Sequence, residues 1–257
     1  MTAASLASVV TLSVGALLAP ATLSAQGPPQ PAAPAVAPSA QATAPVDLTG
    51  YWVSMVTEDW RWRVVTPPKG DVLYLPVNAE GRKAAGEWDP AKDAAAGEEC
   101  RGFGAGGVMR IPGRLHITWE SDQVLRLETD AGTQTRRFHF GTAPAATEPT
   151  WQGRSVATWQ FHGSPRARTA GPRSGELRVV TDNLRPGYLR RNGVPYGAQA
   201  RLTEHFATLS EPGDVTYLVV TTILEDPRYL AAPYVRSYQF RRQADAAGWN
   251  PTSCSAQ

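Results

Sequence analysis

The strongest constraint on this chain is the two-residue period that sets in after Thr49. Short runs rich in Val, Thr and aromatic residues alternate apolar with polar and are broken by Gly, Pro, Asp or Asn. Successive side chains of a strand point to opposite faces, so the pattern specifies antiparallel strands with one buried face. The runs cover residues 50–58, 60–66, 107–111, 114–120, 124–130, 133–140, 155–162, 176–183, 199–209, 215–225 and 235–242. Ser121-Asp122 and Ala131-Gly132 are turn pairs that join neighbouring runs as hairpins. A sheet of this many strands exposes its edges unless it closes on itself, which favours a barrel over a sandwich. Residues 78–96 interrupt the pattern: they are Ala-rich, with Asn78 as an N-cap and Pro90 opening a second helical turn. The expected fold class is therefore all-β, an antiparallel β-barrel with one helical insertion. That insertion is either a lid or plug, or a helix packed on one barrel end through Trp88.

The N-terminal stretch is different in kind. Leu6 to Leu18 is an uncharged apolar run of about 13 residues, short of the roughly 20 that span a bilayer as a helix. The small residues Thr22-Leu23-Ser24-Ala25 follow it, so residues 1–25 read as a secretion signal cleaved after Ala25, although Met1 to Ser5 carry no Lys or Arg. Residues 26–46 are Pro/Ala-rich and uncharged, a composition expected to form a disordered linker. The barrel domain is assigned to residues 47–257, in a periplasmic or secreted protein with no stable membrane span.

The net charge of +2 is small, and of 25 basic residues only Lys69, Lys83 and Lys92 are lysines. The arginines are scattered, which argues against a nucleic-acid partner. An oxidising compartment permits a bridge between Cys100 and Cys254, closing a loop of roughly 150 residues; two unpaired buried thiols are the alternative. The four histidines, His116, His139, His162 and His205, fall singly on separate runs without metal-ligand spacing, so no metal or cofactor is expected. Gly102 to Gly107 lacks the strand-then-helix setting of a phosphate-binding loop and reads as flexible.

Strand alternation nominates polar groups for the interior. Leu202, Glu204 and Phe206 share a face, placing a carboxylate among apolar neighbours. Such a group must pair, Arg136 being the obvious partner across the sheet, or carry the raised pKa that acid-base work needs. His116 and Tyr238 are the companion acid-base candidates. Glu225 and Asp226, facing Tyr234 and Arg236, read as rim residues, either framing a cavity mouth or ending a solvated strand. The eight tryptophans are many for this length. Trp52, Trp60, Trp62, Trp119 and Trp159, with Arg136, Tyr217 and Tyr234, are the candidate ligand-binding residues, and the same aromatic rings can equally fill the core. In Trp60-Arg61-Trp62-Arg63 a strand would place both indoles inside and both guanidiniums outside.

The opening Leu48-Thr49-Gly50-Tyr51-Trp52 is similar to the Gly-x-Trp first strand of lipocalin-like barrels. The later order of features is Pro76 to Gly81, Cys100, Pro149 to Ser155, Gly193 to Tyr196 and Glu225 to Tyr229. It resembles a set of exported bacterial lipocalin-like β-barrel proteins of unknown function. The resemblance implies a fold and a compartment, and no reaction. Three functions are expected from these readings. The first is an exported protein holding an apolar or aromatic small molecule in the barrel cavity. The second is a cofactor-independent lyase, isomerase or cyclase, which needs a buried carboxylate or His beside a ligand-sized cavity. The third is an envelope scaffold, which needs a filled barrel and an exposed apolar patch.

Overall fold

The alternating runs fold as strands wherever one face meets the interior. The computed structural model describes residues 38–145, 148–163 and 174–256; the expected signal segment 1–25, residues 26–37 of the expected linker and residues 164–173 lie outside the described residues. The strands are β1 (Gly50–Met55), β2 (Arg114–Ser121), β3 (Val124–Thr129), β4 (Gln134–Phe140), β5 (Arg154–Phe161), β6 (Gly175–Asp182), β7 (Gly187–Arg190), β8 (Val194–Tyr196), β9 (Arg201–Glu211), β10 (Val215–Glu225) and β11 (Tyr234–Gln243). Nine of them close into a barrel in the order β1-β11-β10-β9-β6-β5-β4-β3-β2, and β7 and β8 form a separate hairpin. Among the described residues no helix is long and apolar enough to cross a membrane.

Nine is an odd number, so strand direction cannot alternate all the way round a closed ring. The mismatch falls between β4 and β5, which run parallel through three register pairs, from Phe138↔Ser155 to Phe140↔Ala157. The expectation of a wholly antiparallel barrel is corrected at this seam. The neighbouring β5–β6 pairing is antiparallel over the full length of both strands.

The interior is occupied by side chains. Trp52, Ile117, Leu127, Phe138, Leu177, Phe206, Leu218 and Val220 are all fully buried and belong to one cluster with Leu115, Leu125, Tyr238 and Phe240. Both barrel ends are covered. At the end where β1 begins, Trp119, Phe140 and Trp159 pack on the core, and the preceding segment lies across them. The Trp159 indole donates to the Ala40 carbonyl at 2.8 Å, and the Gln41 amide donates to Asp122. Residues 38–46, expected as part of a disordered linker, are thus held by the barrel: Ala40 and Val46 give the tract enough apolar surface to cover exposed indole rings.

The opposite end carries the helices. Among the described residues there are four short ones, α1 (Trp60–Arg63), α2 (Ala79–Glu87), α3 (Pro90–Ala95) and α4 (Ala105–Val108), with a 3-10 turn at Glu99–Phe103. The caps expected for the insertion are present: Asn78 accepts from the Gly81 amide at 2.9 Å, and Asp89 accepts from Ala91 ahead of Pro90. Two expected strands are corrected. Residues 107–111 are the end of α4 and the turn after it, and residues 60–66 begin as α1. The glycines from Gly102 to Gly107 are a packing device, not a flexible loop: a Cβ on Gly106 would sit 2.7 Å from the Tyr196 ring. Hairpin β7–β8, absent from the sequence reading, is buried on both faces. Trp88 packs over its turn at Gly193, where the left-handed backbone (φ 82°) and the contact both exclude a side chain.

Beyond β11 the chain returns along the outside of the barrel. Trp249 meets Tyr51 and His116 edge-on, the Thr252 amide donates to Asp130, and Cys254 forms the disulfide with Cys100 of the 3-10 turn. The bridge closes 154 residues and fastens the tail to the helical end. Cys254→Ser is expected to cost about 3–5 kcal/mol, as for other long-loop disulfides. Thermal unfolding with and without reductant measures this; a melting temperature that ignores both the substitution and the reductant contradicts it.

Candidate functional site

Glu204 and Arg136 do lie in the barrel interior, and they face each other. Arg136 on β4 reaches across to β9, donating from Nη1 to Oε1 at 2.9 Å and from Nη2 to Oε2 at 2.5 Å. Nη2 also lies 3.3 Å from Thr181 Oγ1, and Thr181 is bonded to Ser155 Oγ at 2.8 Å. Neither charged side chain has any exposure. A bidentate guanidinium–carboxylate fork is the geometry that best offsets the desolvation of two buried charges. It also engages both carboxylate oxygens, and Glu204 lines none of the cavities described below.

The other acid-base candidates are elsewhere. His116 is on the outer face, stacked on Tyr51 with ring centroids 4.1 Å apart and 3.3 Å from Glu128. Tyr238 is interior, at the helical end, with the Arg63 guanidinium over its ring at 5.1 Å; burial pushes its phenol upward, and Tyr234 adds to the shift. The three groups do not converge. Trp52 is fully buried and donates to the Leu48 carbonyl. Trp119 and Trp159 sit under the N-terminal segment. Tyr217 is on the outer face of β10, because Leu218, Val220, Thr222 and Leu224 take the inner one. Tyr234 is buried at the helical end. Asp226 is a loop brace that accepts from the Gly197 and Arg228 amides.

Trp60 and Trp62 are brought together, but outside the barrel. The Trp-Arg-Trp-Arg stretch fails as a strand because Asp59 takes a left-handed conformation (φ 50°) and turns the chain into α1. The expected sidedness inverts: Arg63 is buried while Trp60 is 66% exposed. Arg63 is captured by main-chain and side-chain oxygens, donating to the Arg110 carbonyl at 2.9 Å, to Ser54 Oγ at 3.0 Å and to Glu58. The segment after α1 is tied down from beneath. Asn192 donates to the Pro68 and Asp71 carbonyls, Arg190 to Leu73 and Arg236 to Tyr74, while the Trp62 indole donates to Asp71. These anchors hold Tyr74 in a left-handed backbone (φ 61°), unusual for a bulky residue.

The result is a groove. A cavity of about 540 Å³ is lined by Trp60, Arg61, Trp62, Val65, Thr66, Pro67, Pro68 and Asp71. Around it Val64, Val65, Leu73 and Tyr74 are each more than half exposed. An adjoining narrow crevice shares Trp62, Val65, Thr66 and Pro67 and runs down to Arg63, Arg110 and Arg191. Burial pushes the Arg63 and Arg190 guanidiniums below their ordinary values, and the like charge of Arg110 adds to this. The sequence reading named the two indoles; it missed Arg110, Arg190 and Asn192. The available signals were single polar residues inside apolar stretches, as in Val108-Met109-Arg110-Ile111.

A second cleft, about 370 Å³, opens beside the parallel seam and is lined by Arg137, His139, Glu148, Arg154 and Ser155 among others. Desolvation, then the charge of Arg137, lowers the pKa of His139 below its ordinary 6.5. An NMR titration of its ring should therefore show a midpoint below 6.5, with the ring neutral at pH 7. A midpoint at or above the ordinary value contradicts the packing described.

The interior pair gives a sharper test. Glu204→Ala or Arg136→Ala leaves a buried charge uncompensated and should cost about 3–5 kcal/mol in urea unfolding. The double replacement Arg136→Met with Glu204→Leu should recover most of that loss. Single losses under about 1 kcal/mol would show that the pair is solvated.

The sequence matches no family model, and no curated protein or solved structure is similar to the chain.

Proposed function

We propose that this is an exported binding protein that takes an apolar or aromatic small molecule in the groove between Trp60, Trp62 and Pro67, with the barrel as its rigid support. The observation that carries the reading is the contrast between two places rich in aromatic side chains. Inside the barrel the rings are packed against one another and fully buried. At the helical end two indoles line a cavity of ligand size that opens to solvent. Ligand sites are concave, mostly apolar and framed by a few fixed polar groups, and this groove has that composition. Rigid aromatic rings on an anchored segment lose little entropy on binding. Export is supported by the apolar run Leu6 to Leu18 and by the Cys100–Cys254 bridge, since disulfides persist in oxidising compartments.

The exposed apolar residues around the groove favour one second reading, an envelope scaffold that presents this patch to a partner protein. Small-molecule uptake separates the two. The neutral dye Nile red should bind the purified protein with a blue-shifted emission, and Trp60→Ala should weaken it roughly tenfold, the equivalent of about 1.4 kcal/mol. Because the Trp60 side chain is mostly exposed, the same variant should keep its melting temperature. Dye binding that survives Trp60→Ala and Trp62→Ala unchanged would move the site elsewhere.

A further inference from the structure

The crevice beside the groove has an unusual charge balance. Its lining holds three guanidiniums, Arg63, Arg110 and Arg191, and no carboxylate. Arg63 is committed to the protein, with Nε, Nη1 and Nη2 all donating to carbonyl, carboxylate or hydroxyl oxygens. Arg110 is not. Its side chain is 5% exposed, Nη1 reaches Asp59 only at 3.4 Å, and Nη2 has no acceptor. Nε of Arg191 also lacks one, although burial holds that guanidinium partly out of water. Behind the groove wall, Arg190 lies over the Trp62 ring at 5.4 Å with Nε and Nη1 unpartnered.

Buried donors without acceptors cost free energy, and guanidiniums gathered this closely repel one another. The carboxylates near the cluster are already engaged: Asp59 by Arg236 at 3.1 Å, Glu58 by Arg63, and Asp71 by the Trp62 indole and the Leu73 amide. An anion entering the crevice would satisfy the free donors and reduce the repulsion. The free space there is about 20 Å³, room for one or two water-sized atoms such as carboxylate oxygens and not for a ring. The four residues shared with the larger cavity connect that head-group space to the apolar groove.

We infer that the ligand of the groove is an amphiphilic carboxylate, an aryl or alkyl acid whose apolar body lies on Trp60, Trp62 and Pro67 and whose carboxylate is received by Arg110 and Arg191. This rests on the groove being the binding site. The planar guanidinium fork matches a carboxylate in shape as well as charge, which a lysine would not. Arg190, in the layer behind, positions the Trp62 ring and adds to the positive potential, without touching the ligand.

Isothermal titration at pH 7 with 2-naphthoate and its uncharged isostere 2-naphthamide tests the inference on the full mature chain. The acid should bind at least tenfold more tightly than the amide, and the difference should shrink as salt is raised. In Arg110→Gln and in Arg191→Gln the acid should fall to the level of the amide, while Arg191→Lys should retain part of the preference. Arg191 is the more exposed of the two and serves as the independent variant should Arg110→Gln lower the melting temperature. Equal binding of acid and amide would overturn the carboxylate assignment and leave the apolar groove standing. An acid preference that survives both glutamine variants would overturn the arginine assignment. Binding of neither compound, with Nile red also excluded, would remove the groove itself.

Discussion

Closure with an odd number of strands is the constraint from which the rest of this structure follows. It forces one parallel seam, and β4 and β5 meet there through three register pairs. Strand pairing is shortest at that point, and Arg136 leaves the wall just below the seam to grip Glu204 on the strand across the interior. Thr181 and Ser155 extend the same polar layer through β6 and β5. The strut therefore links four of the nine strands, two of them forming the seam. A buried ion pair adds little net stability over a hydrophobic replacement, so its contribution is better read as a fixed cross-lumen spacing.

A barrel braced in this way and packed with Trp52, Phe138 and Phe206 leaves its interesting chemistry to its ends. The two ends differ. One is covered by residues 38–46, which seat on Trp119 and Trp159 and add little charge. The other is covered by the helices, hairpin β7–β8 and an arginine network whose job is to hold main chain. Asn192, Arg190 and Arg236 hold four carbonyls of the 68–74 segment, and that is what presents Trp60 and Trp62 to solvent in one orientation. The disulfide fastens the tail to the same end. Stability and presentation thus share one set of side chains.

The sequence was most legible where a single face of an element meets the core. Runs 114–120, 124–130 and 215–225 alternate cleanly and became β2, β3 and β10; the capped insertion at 78–96 became α2 and α3. Glu204 was placed inside, with Arg136 as its partner, because an isolated carboxylate in an apolar stripe admits few alternatives. Legibility failed where both faces are buried or where tertiary capture overrides the local pattern. Hairpin β7–β8 is enclosed on both sides and so shows no alternation. Trp60-Arg61-Trp62-Arg63 alternates as a strand does, yet the pull of Ser54, Glu58 and the Arg110 carbonyl on Arg63 turns it into a helix with its arginine inside. His116 and Tyr217 lie on the outer faces of β2 and β10, which the alternation alone does not reveal. On a barrel strand the polar and aromatic residues of the outer face look the same in sequence as those of a cavity wall, and only the register decides between them.

The central claim, that the barrel supports binding at its end and not in its lumen, is open to one direct measurement. The indole N–H signals of the tryptophans can be followed individually in a ¹⁵N-labelled sample titrated with a neutral aryl probe such as 2-naphthamide. Trp52 reports on the interior, where its indole donates to Leu48, and Trp60 and Trp62 report on the groove. The account predicts saturable shifts of the Trp60 and Trp62 signals with Trp52 unmoved. Shifts of Trp52 with Trp60 and Trp62 unmoved would place the ligand inside the barrel and contradict it.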